Sequence, residues 1–211
     1  MIYNSPEKSL LFRIVHIDNL SYILEHGEYS RSHSMFNPQF VGIGNSDIIA
    51  RRSNKQVLVS PNGHLSDYVP FYLGARSKML FQICTGYNVP KQNQSNIIYL
   101  LSSINRILQL NCQYCFTNGN AAANLTRFFS SADIAGFKGL YWDAINAISW
   151  TDPPELSQAK QSEVLVFEHF PAEAINEIHV YNTTAQANVL RLVEASRFPH
   201  LTVSVTPGIY Y

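Results

Sequence analysis

The sequence predicts an α+β domain, and three observations carry that prediction. Short β-branched and aromatic runs recur along the chain, the pattern of buried strands. Helical periodicity is confined to a few unevenly placed segments, which disfavours the regular strand–helix alternation of a doubly wound sheet. The 211 residues, 46% of them hydrophobic, suit one domain spanning 1–211 with a sizeable core.

Taken in order, "FRIVHI" reads as a strand, and "DNLSYILEHG" after it as a short helix. Asp18 is placed to cap that helix, Leu20, Ile23 and Leu24 share a face, and Gly27 can end it. Residues 30–64 are polar and broken by Gly and Pro, hence mostly loop, with a short helix at "SDIIARRS". "DYVPFYLG" is aromatic and extended, and "NIIYLLSS" and "EVLVFEHF" read as buried strands. "EIHVYN" is a further strand, followed by an amphipathic helix carrying Ala187, Leu190, Val193 and Glu194. "LTVSVTPGIYY" closes the chain as a strand.

Charged residues make up only 14% of the chain, and 15 basic residues balance 15 acidic ones. A protein that coats DNA generically is basic, so any nucleic-acid contact here must be local. Twelve Tyr, twelve Phe and two Trp supply stacking surfaces. No long apolar leader segment opens the chain and no stretch approaches a membrane span, which predicts a soluble, cytoplasmic protein without membrane contact. Three cysteines do not make a disulfide framework. The C-x-x-C of Cys112 and Cys115 cannot complete a four-ligand zinc site, and Cys84 lies far off in sequence. The cysteines are read as structural or incidental, and no metal is expected.

Glu163 poses the chemical problem. In "KQSEVLVF" it heads the apolar run Val164–Phe167, and burying a carboxylate without partners is costly. Structural readings exist for each candidate: Glu163 can end a strand in solvent, Arg51 and Arg52 can be an exposed basic pair, and His16 can be a core histidine bonded to a backbone carbonyl. Catalytic-triad order, a P-loop, G-x-G-x-x-G and H-E-x-x-H are all missing.

The constellation says more than its members. "VHIDNLSYILEHG", "RRS", "LSDYVPFY" and "WTDPPELSQAKQSEVLVF" occur in that order, separated by long irregular loops. From about Phe12 to Tyr211 the chain resembles the DarT family of DNA ADP-ribosyltransferase toxins. The resemblance implies the ADP-ribosyltransferase fold, a split β-sandwich with flanking helices and long loops. It implies transfer of ADP-ribose from NAD, as substrate, to a base of single-stranded DNA, thymine in the best-known branch. The implied protein partner is a macrodomain antitoxin of the DarG type, and a monomer is expected.

By the same resemblance Glu163 and Arg52 are the catalytic pair. Cleaving the nicotinamide–ribose bond develops an oxocarbenium-like cation, which a fixed carboxylate stabilises more in the transition state than in the ground state. Glu163 is expected to hold the ribose 2'-hydroxyl as well. A guanidinium at Arg52 can clamp the phosphates or the nicotinamide ribose, and the family mechanism also gives it a part in taking the base proton. Arg51 is read as a solvent or phosphate contact. Arg13, Ile14 and Val15 fall at the NAD-contacting positions of the first strand, where part of the family has His-x-Thr. Tyr22 and Ser30 fall at further NAD-lining positions, Tyr22 where some members have Gly. Ser66 departs from the family's "LHDYVPFY", and Asn118 stands where many relatives have Asp.

Residues 116–160 are expected to carry the DNA-facing loop, with Arg127, Phe128, Phe129 and Trp150 as contacts, the two phenylalanines being equally readable as core. Aromatic stacking plus a few cations holds single strands without a net basic surface, and an unpaired substrate avoids the cost of base flipping. Two other functions stay open: an NAD glycohydrolase using the same Glu and Arg with water as acceptor, and a non-catalytic nucleic-acid-binding module, against which the presence of both residues argues.

Overall fold

The structure is a computed structural model describing residues 5–149 and 154–211. Eight strands form one sheet: β1 (Leu10–His16), β2 (Tyr68–Tyr72), β3 (Ile97–Ser103), β4 (Tyr114–Thr117), β5 (Phe128–Ser130), β6 (Glu163–Phe167), β7 (Glu177–Val180) and β8 (Thr202–Val205). Their order is β8-β7-β3-β1-β2-β6-β4-β5. All neighbours are antiparallel except β7 and β8, which a helical crossover joins.

The sheet is nearly cut in two. β1 pairs with β3 along its whole length, Leu10↔Ser103 to His16↔Ile97, and β2 pairs with β6 from Tyr68↔Phe167 to Tyr72↔Glu163. Between β1 and β2 the ladder holds only Phe12↔Tyr72. The two half-sheets diverge from that pinch, which is the split expected of the fold. Pro70, with no N–H to donate, is tolerated in β2 because most of that strand has a partner on one side only.

Helices flank the sheet: α1 (Leu20–His26), α2 (Ser46–Asn54), α3 (Lys78–Thr85), α4 (Ile104–Gln109), α5 (Ile134–Lys138), α6 (Trp142–Asn146), α7 (Pro154–Ala159) and α8 (Thr183–Glu194). α1 and α8 pack through Leu20, Ile23, Leu24, Val189 and Val193 against the main core, which includes Leu11, Val15, Leu100 and Ile178. On another side of β1, Leu80 and Ile83 of α3 meet Ile14, Ile97 and Tyr99. Among the described residues no helix is long and apolar enough to cross a membrane.

The structure corrects several local expectations. Asp18 does not cap α1, because it sits in a 3-10 turn over Ile17–Asn19 that precedes the helix. Asn19 spends its amide on both backbone groups of Val41, at 2.8 and 2.9 Å. Gly27 does end α1, at φ 79°, where a Cβ would lie 2.4 Å from His169 Nε2. His16 accepts from the Asp18 amide at 3.3 Å rather than bonding a carbonyl. On α8 the inward face is Ala185, Val189 and Val193; Ala187 and Glu194 face solvent. Residues 116–117 and 128–130, read as part of a DNA-facing loop, belong to the strands β4 and β5.

Candidate active site

Glu163 opens β6 and is 2% exposed, so its carboxylate must find partners within the fold. It has them. The Ala121 amide donates to Oε1 at 2.8 Å, and Arg52 Nη1 donates to Oε2 at 3.1 Å and to Oε1 at 3.4 Å. Its own amide donates to Thr117 Oγ1 at 3.2 Å, and that hydroxyl donates to the Gly119 carbonyl at 2.7 Å. The turn after β4 is thereby wrapped against the start of β6. Gly119 is needed in that turn: a Cβ would fall 2.9 Å from Gln158 Cγ.

Arg52 reaches Glu163 from α2, a helix with no fully buried residue. Asn45 caps it, its Oδ1 accepting from the amides of Asp47 (2.9 Å) and Ile48 (3.1 Å). Arg52 and Arg51 are adjacent and so project about 100° apart. Only Arg52 turns inward; Arg51 is exposed and bonds the Asp47 carbonyl at 3.4 Å. Arg52 Nη2 is buried and, among the described residues, has no hydrogen-bond partner. An orphaned guanidinium nitrogen at a cavity wall is a group prepared for a ligand.

A second ion pair lines the same cavity. Arg13 of β1 turns its Nε edge to Glu28, Nε lying 3.1 and 3.0 Å from the two carboxylate oxygens, with Nη2 also against Oε1. Burial opposes the Arg13 charge, but Glu28 more than offsets it and holds the guanidinium above its ordinary range. Between the two pairs stands Tyr72, the residue of the pinch. Burial first, then the Glu163 charge, push its phenol up, so it is a neutral donor throughout the physiological range. At the outer part of the cavity Arg31 lies 5.4 Å from the Phe36 ring and 5.8 Å from that of Phe40.

Of the residues proposed from sequence, Arg13, Ile14, Ser30, Arg52 and Glu163 line this one cavity. Val15 does not: strand alternation turns its side chain into the main core, 1% exposed, so only its backbone is available. Tyr22 also lies off the cavity, its ring tilted on His26 and its hydroxyl donating to the Met35 carbonyl. Arg127 is exposed, with its guanidinium 5.5 Å from the Phe129 ring. Phe129 is half-buried and stacks on the buried Phe116, centroids 5.0 Å apart; Phe128 is half-buried against Val57 and Leu165 on the other side of the strand. Both rings therefore serve the core in part. Trp150 lies outside the described residues.

Tyr72 lies in the "DYVPFY" segment that the family resemblance singles out, and that segment lines the cavity; sequence reasoning passed over Glu28, Arg31, Phe36 and Phe40, and the Ala121 amide. Glu28 carried a weak signal, an acid directly after a helix-ending Gly. The others carried none, since residues 30–64 show no periodicity and a backbone amide has no residue type. Among the described residues no cluster of His, Cys, Asp or Glu could hold a metal ion. Cys115 is buried beside Val57, Ala121 and Leu165.

Comparison with known proteins bears on this geometry. A family model described as "ssDNA thymidine ADP-ribosyltransferase, DarT" matches residues 12–211. A DNA ADP-ribosyl transferase of Thermus sp. (strain 2.9) is 36% identical over 194 residues, 92% of this chain and 90% of that protein. The structure of Thermus sp. 2.9 DarT in complex with ADP-ribosylated single-stranded DNA superposes with a TM-score of 0.90 at 34% identity, covering 100% of both chains. The structure of Thermus sp. 2.9 DarT in complex with NAD+ gives 0.84 at 33% identity, covering 98% of this chain and 100% of the other.

Proposed function

Since the chain belongs to the DarT family of single-stranded-DNA thymidine ADP-ribosyltransferases, we propose that it transfers ADP-ribose from NAD to a thymine of single-stranded DNA. The observation that carries this reading is the buried Arg52–Glu163 pair, with Arg52 Nη2 left free at the wall of the cavity. In the reaction the bond between nicotinamide and the ribose breaks and nicotinamide leaves with the bonding pair. A new carbon–nitrogen bond forms to the base, whose nitrogen gives up its proton.

Glu163 is proposed as the group that meets the developing ribose cation and holds the 2'-hydroxyl. Preorganisation is what makes it effective: Ala121 and Arg52 fix its orientation before substrate arrives, so little reorganisation remains at the transition state. Arg52 acts as a clamp through its free nitrogen. Arg13, held by Glu28, keeps its remaining N–H groups for the NAD end that enters beside β1, where Ile14 and Ser30 also lie. The Arg31–Phe36–Phe40 stack offers an aromatic and cationic surface of the kind that suits the adenosine end of NAD. On the DNA side Arg127 and Phe129 are the proposed contacts. The chain is proposed to act in the cytoplasm as a toxin, monomeric, with a macrodomain antitoxin of the DarG type as its protein partner.

The test is to incubate the protein with NAD and a mixed set of single-stranded oligonucleotides and to map the added mass. Mass equal to one ADP-ribose on a thymine is expected, and Glu163→Ala should abolish it while leaving NAD affinity largely intact. Release of free ADP-ribose with no labelled oligonucleotide would instead mark an NAD glycohydrolase.

A further inference from the structure

Glu163 is held by two donors that come from separate parts of the chain. Arg52 Nη1 reaches it from the last turn of α2, and the Ala121 amide reaches it from the turn after β4. That turn is a single reversal, the Ala123 amide donating to the Asn120 carbonyl at 2.9 Å and the Ala122 amide to Asn120 Oδ1, also at 2.9 Å. Because α2 has no fully buried residue, its last turn needs an anchor from outside the helix. The helix end and the turn must also keep the spacing that one carboxylate requires.

Lys55 stands at the junction of the two. Its amide donates to the Arg52 carbonyl at 3.3 Å, closing α2. Its carbonyl accepts from the Leu65 amide at 2.9 Å, where the chain returns from the hairpin of Gln56–Val57 with Gly63–His64. Its side chain crosses to the turn: Nζ donates to the Ala123 carbonyl and lies 5.5 Å from the Phe128 ring. Lys55 therefore follows Arg52 by three residues and is bonded two residues beyond Ala121. Hairpin and turn also lie against each other, Val57 and Ala121 sharing one apolar cluster with Leu65 and Leu165. On the hairpin itself Asp67 Oδ2 accepts from the His64 amide at 2.7 Å.

The partner of this ammonium is unusual for a lysine. Among the described residues Lys55 forms no ion pair. Burial, and then the Arg52 charge, hold it below its ordinary range, with Glu163 acting the other way. A lysine beside an arginine, with no carboxylate of its own, is kept in place by the carbonyl and the ring. Apolar contact holds hairpin and turn together without fixing their register, because it is non-directional. A charge-assisted hydrogen bond to a backbone carbonyl does fix it.

We propose that Lys55 is a positioning residue for the chemical step: by bonding the Ala123 carbonyl it keeps Arg52 and the Ala121 amide at the spacing that orients Glu163. The inference rests on the reading of Glu163 as the group that meets the ribose cation. Lys55 does not line the cavity. It acts through the other two groups, so its loss shows in kcat and not in the affinity for NAD. A displacement of about 1 Å at a reacting centre is enough to slow a reaction on the order of 100-fold.

Single-turnover kinetics with NAD and oligonucleotide both saturating tests this, nicotinamide release and oligonucleotide labelling being followed in the same reaction. Lys55→Met keeps the length of the side chain and removes its N–H groups. Both rates are expected to fall about 10-fold or more, with the KM for NAD unchanged. Lys55→Arg can still donate to the Ala123 carbonyl and is expected to stay within about 3-fold of the wild type. The Tm of Lys55→Met should fall by about 4 °C or less, the scale of one hydrogen bond in a chain of this size. Hydrogen exchange supplies the readout that a structural prop would not give. The Ala121 amide loses protection in Lys55→Met, while the amides of β6, paired on both sides, keep theirs. Wild-type rates in Lys55→Met overturn the proposal, as does protection lost throughout β6. A loss confined to subsaturating oligonucleotide overturns it too, by making the ammonium a DNA contact. Equal losses in Lys55→Arg and Lys55→Met overturn the part given to the carbonyl bond. A wild type that releases nicotinamide but labels no oligonucleotide overturns the transfer reading alone, and Lys55 is then judged on nicotinamide release by the same criteria. Nicotinamide release at the wild-type rate in Glu163→Ala removes the reading of Glu163 and the proposal with it.

Discussion

A lysine at position 52 would keep the positive charge of Arg52 and lose its fork. The arginine divides its work between two nitrogens, Nη1 toward Glu163 and Nη2 toward the cavity, and a single ammonium cannot occupy both places. Arg52→Lys is therefore expected to lower kcat on the order of 100-fold, the scale seen when one preorganised donor is lost. Arg51→Ala, on the solvent side of the same helix, should stay within about 3-fold, and single-turnover kinetics on both variants checks the contrast. Lys160 shows the same discipline in a structural role. It is 2% exposed, and Nζ donates to the carbonyls of Ile145 at 2.7 Å and Ala147 at 2.8 Å, tying the end of α6 to the entry of β6. Burial, with Arg76 nearby, lowers it from 10.5 to about 8. Between those values the unfolded chain binds a proton that the folded one does not, so this group adds stability as pH rises from about 8 to 10.5. The neutral amine still has two N–H donors for its two carbonyls. Lys160→Met should cost about 1–3 kcal/mol at pH 7, by leaving both carbonyls unpaired. The gap in urea midpoint between wild type and variant should widen across that pH window.

At the scale of elements, α2 is the weak member of the site. No residue in it is fully buried; Ile48 and Ile49 reach only the cavity wall, and Asn45 ties its start both to the Asp47 and Ile48 amides and, through Nδ2, to the Asn88 carbonyl. A helix with so little packing depends on its cap. Asn45→Ala should destabilise α2 by about 1 kcal/mol and more through the lost tie to Asn88. Because the rest of the core is untouched, Tm should move little while kcat/KM falls several-fold. Hydrogen exchange confined to residues 46–54 is the measurement that separates this from global loss. β6 is the opposite case. It lies between β2 and β4, paired on both sides, and so delivers Glu163 from a rigid strand end. That part of the site was legible in "EVLVF", whose apolar run shows a strand buried on both faces. α2 was legible as a helix but not as part of a site, because a helix's own periodicity does not say which of two adjacent arginines turns inward.

For the molecule as a whole, the pinch between β1 and β2 and the balance of charge set the behaviour. One residue pair joins the half-sheets, and the cavity occupies the ground they leave, with Arg13 from one half and Glu163 from the other. A neutral protein gains little from counterion release along a duplex. Stacking contacts also need base faces that pairing hides. The expected outcome is efficient labelling of single-stranded DNA with a matched duplex left almost untouched. If a single strand is held by Arg51, Lys55 and Arg127, three cations near the site, the dependence of log affinity on log salt should have a slope of about −2. Titration of a fluorescent oligonucleotide between low and moderate salt checks that slope; a value several times steeper would mean a much broader basic contact.

The α+β class and most of the sheet's strands could be read from the chain, and Arg52 and Glu163 could be proposed from it, a pair that the fold brings together at one cavity. Those features are carried locally, by runs of β-branched and aromatic residues and by a carboxylate and an arginine whose places in the chain match a known pattern. Packing alone turns Val15 and Tyr22 away from the cavity, half-buries Phe128 and Phe129, brings Glu28 to Arg13 and sets Tyr72 at the cavity with both ion pairs. Each of these depends on which strands meet and in what register. A shift of one residue would turn every side chain of a strand to the opposite face. Glu28 and Arg13 are fifteen residues apart, and Arg52 and Glu163 one hundred and eleven. Pairings across such distances are fixed when β1, β2 and β6 pack together, and no segment of the chain records them alone.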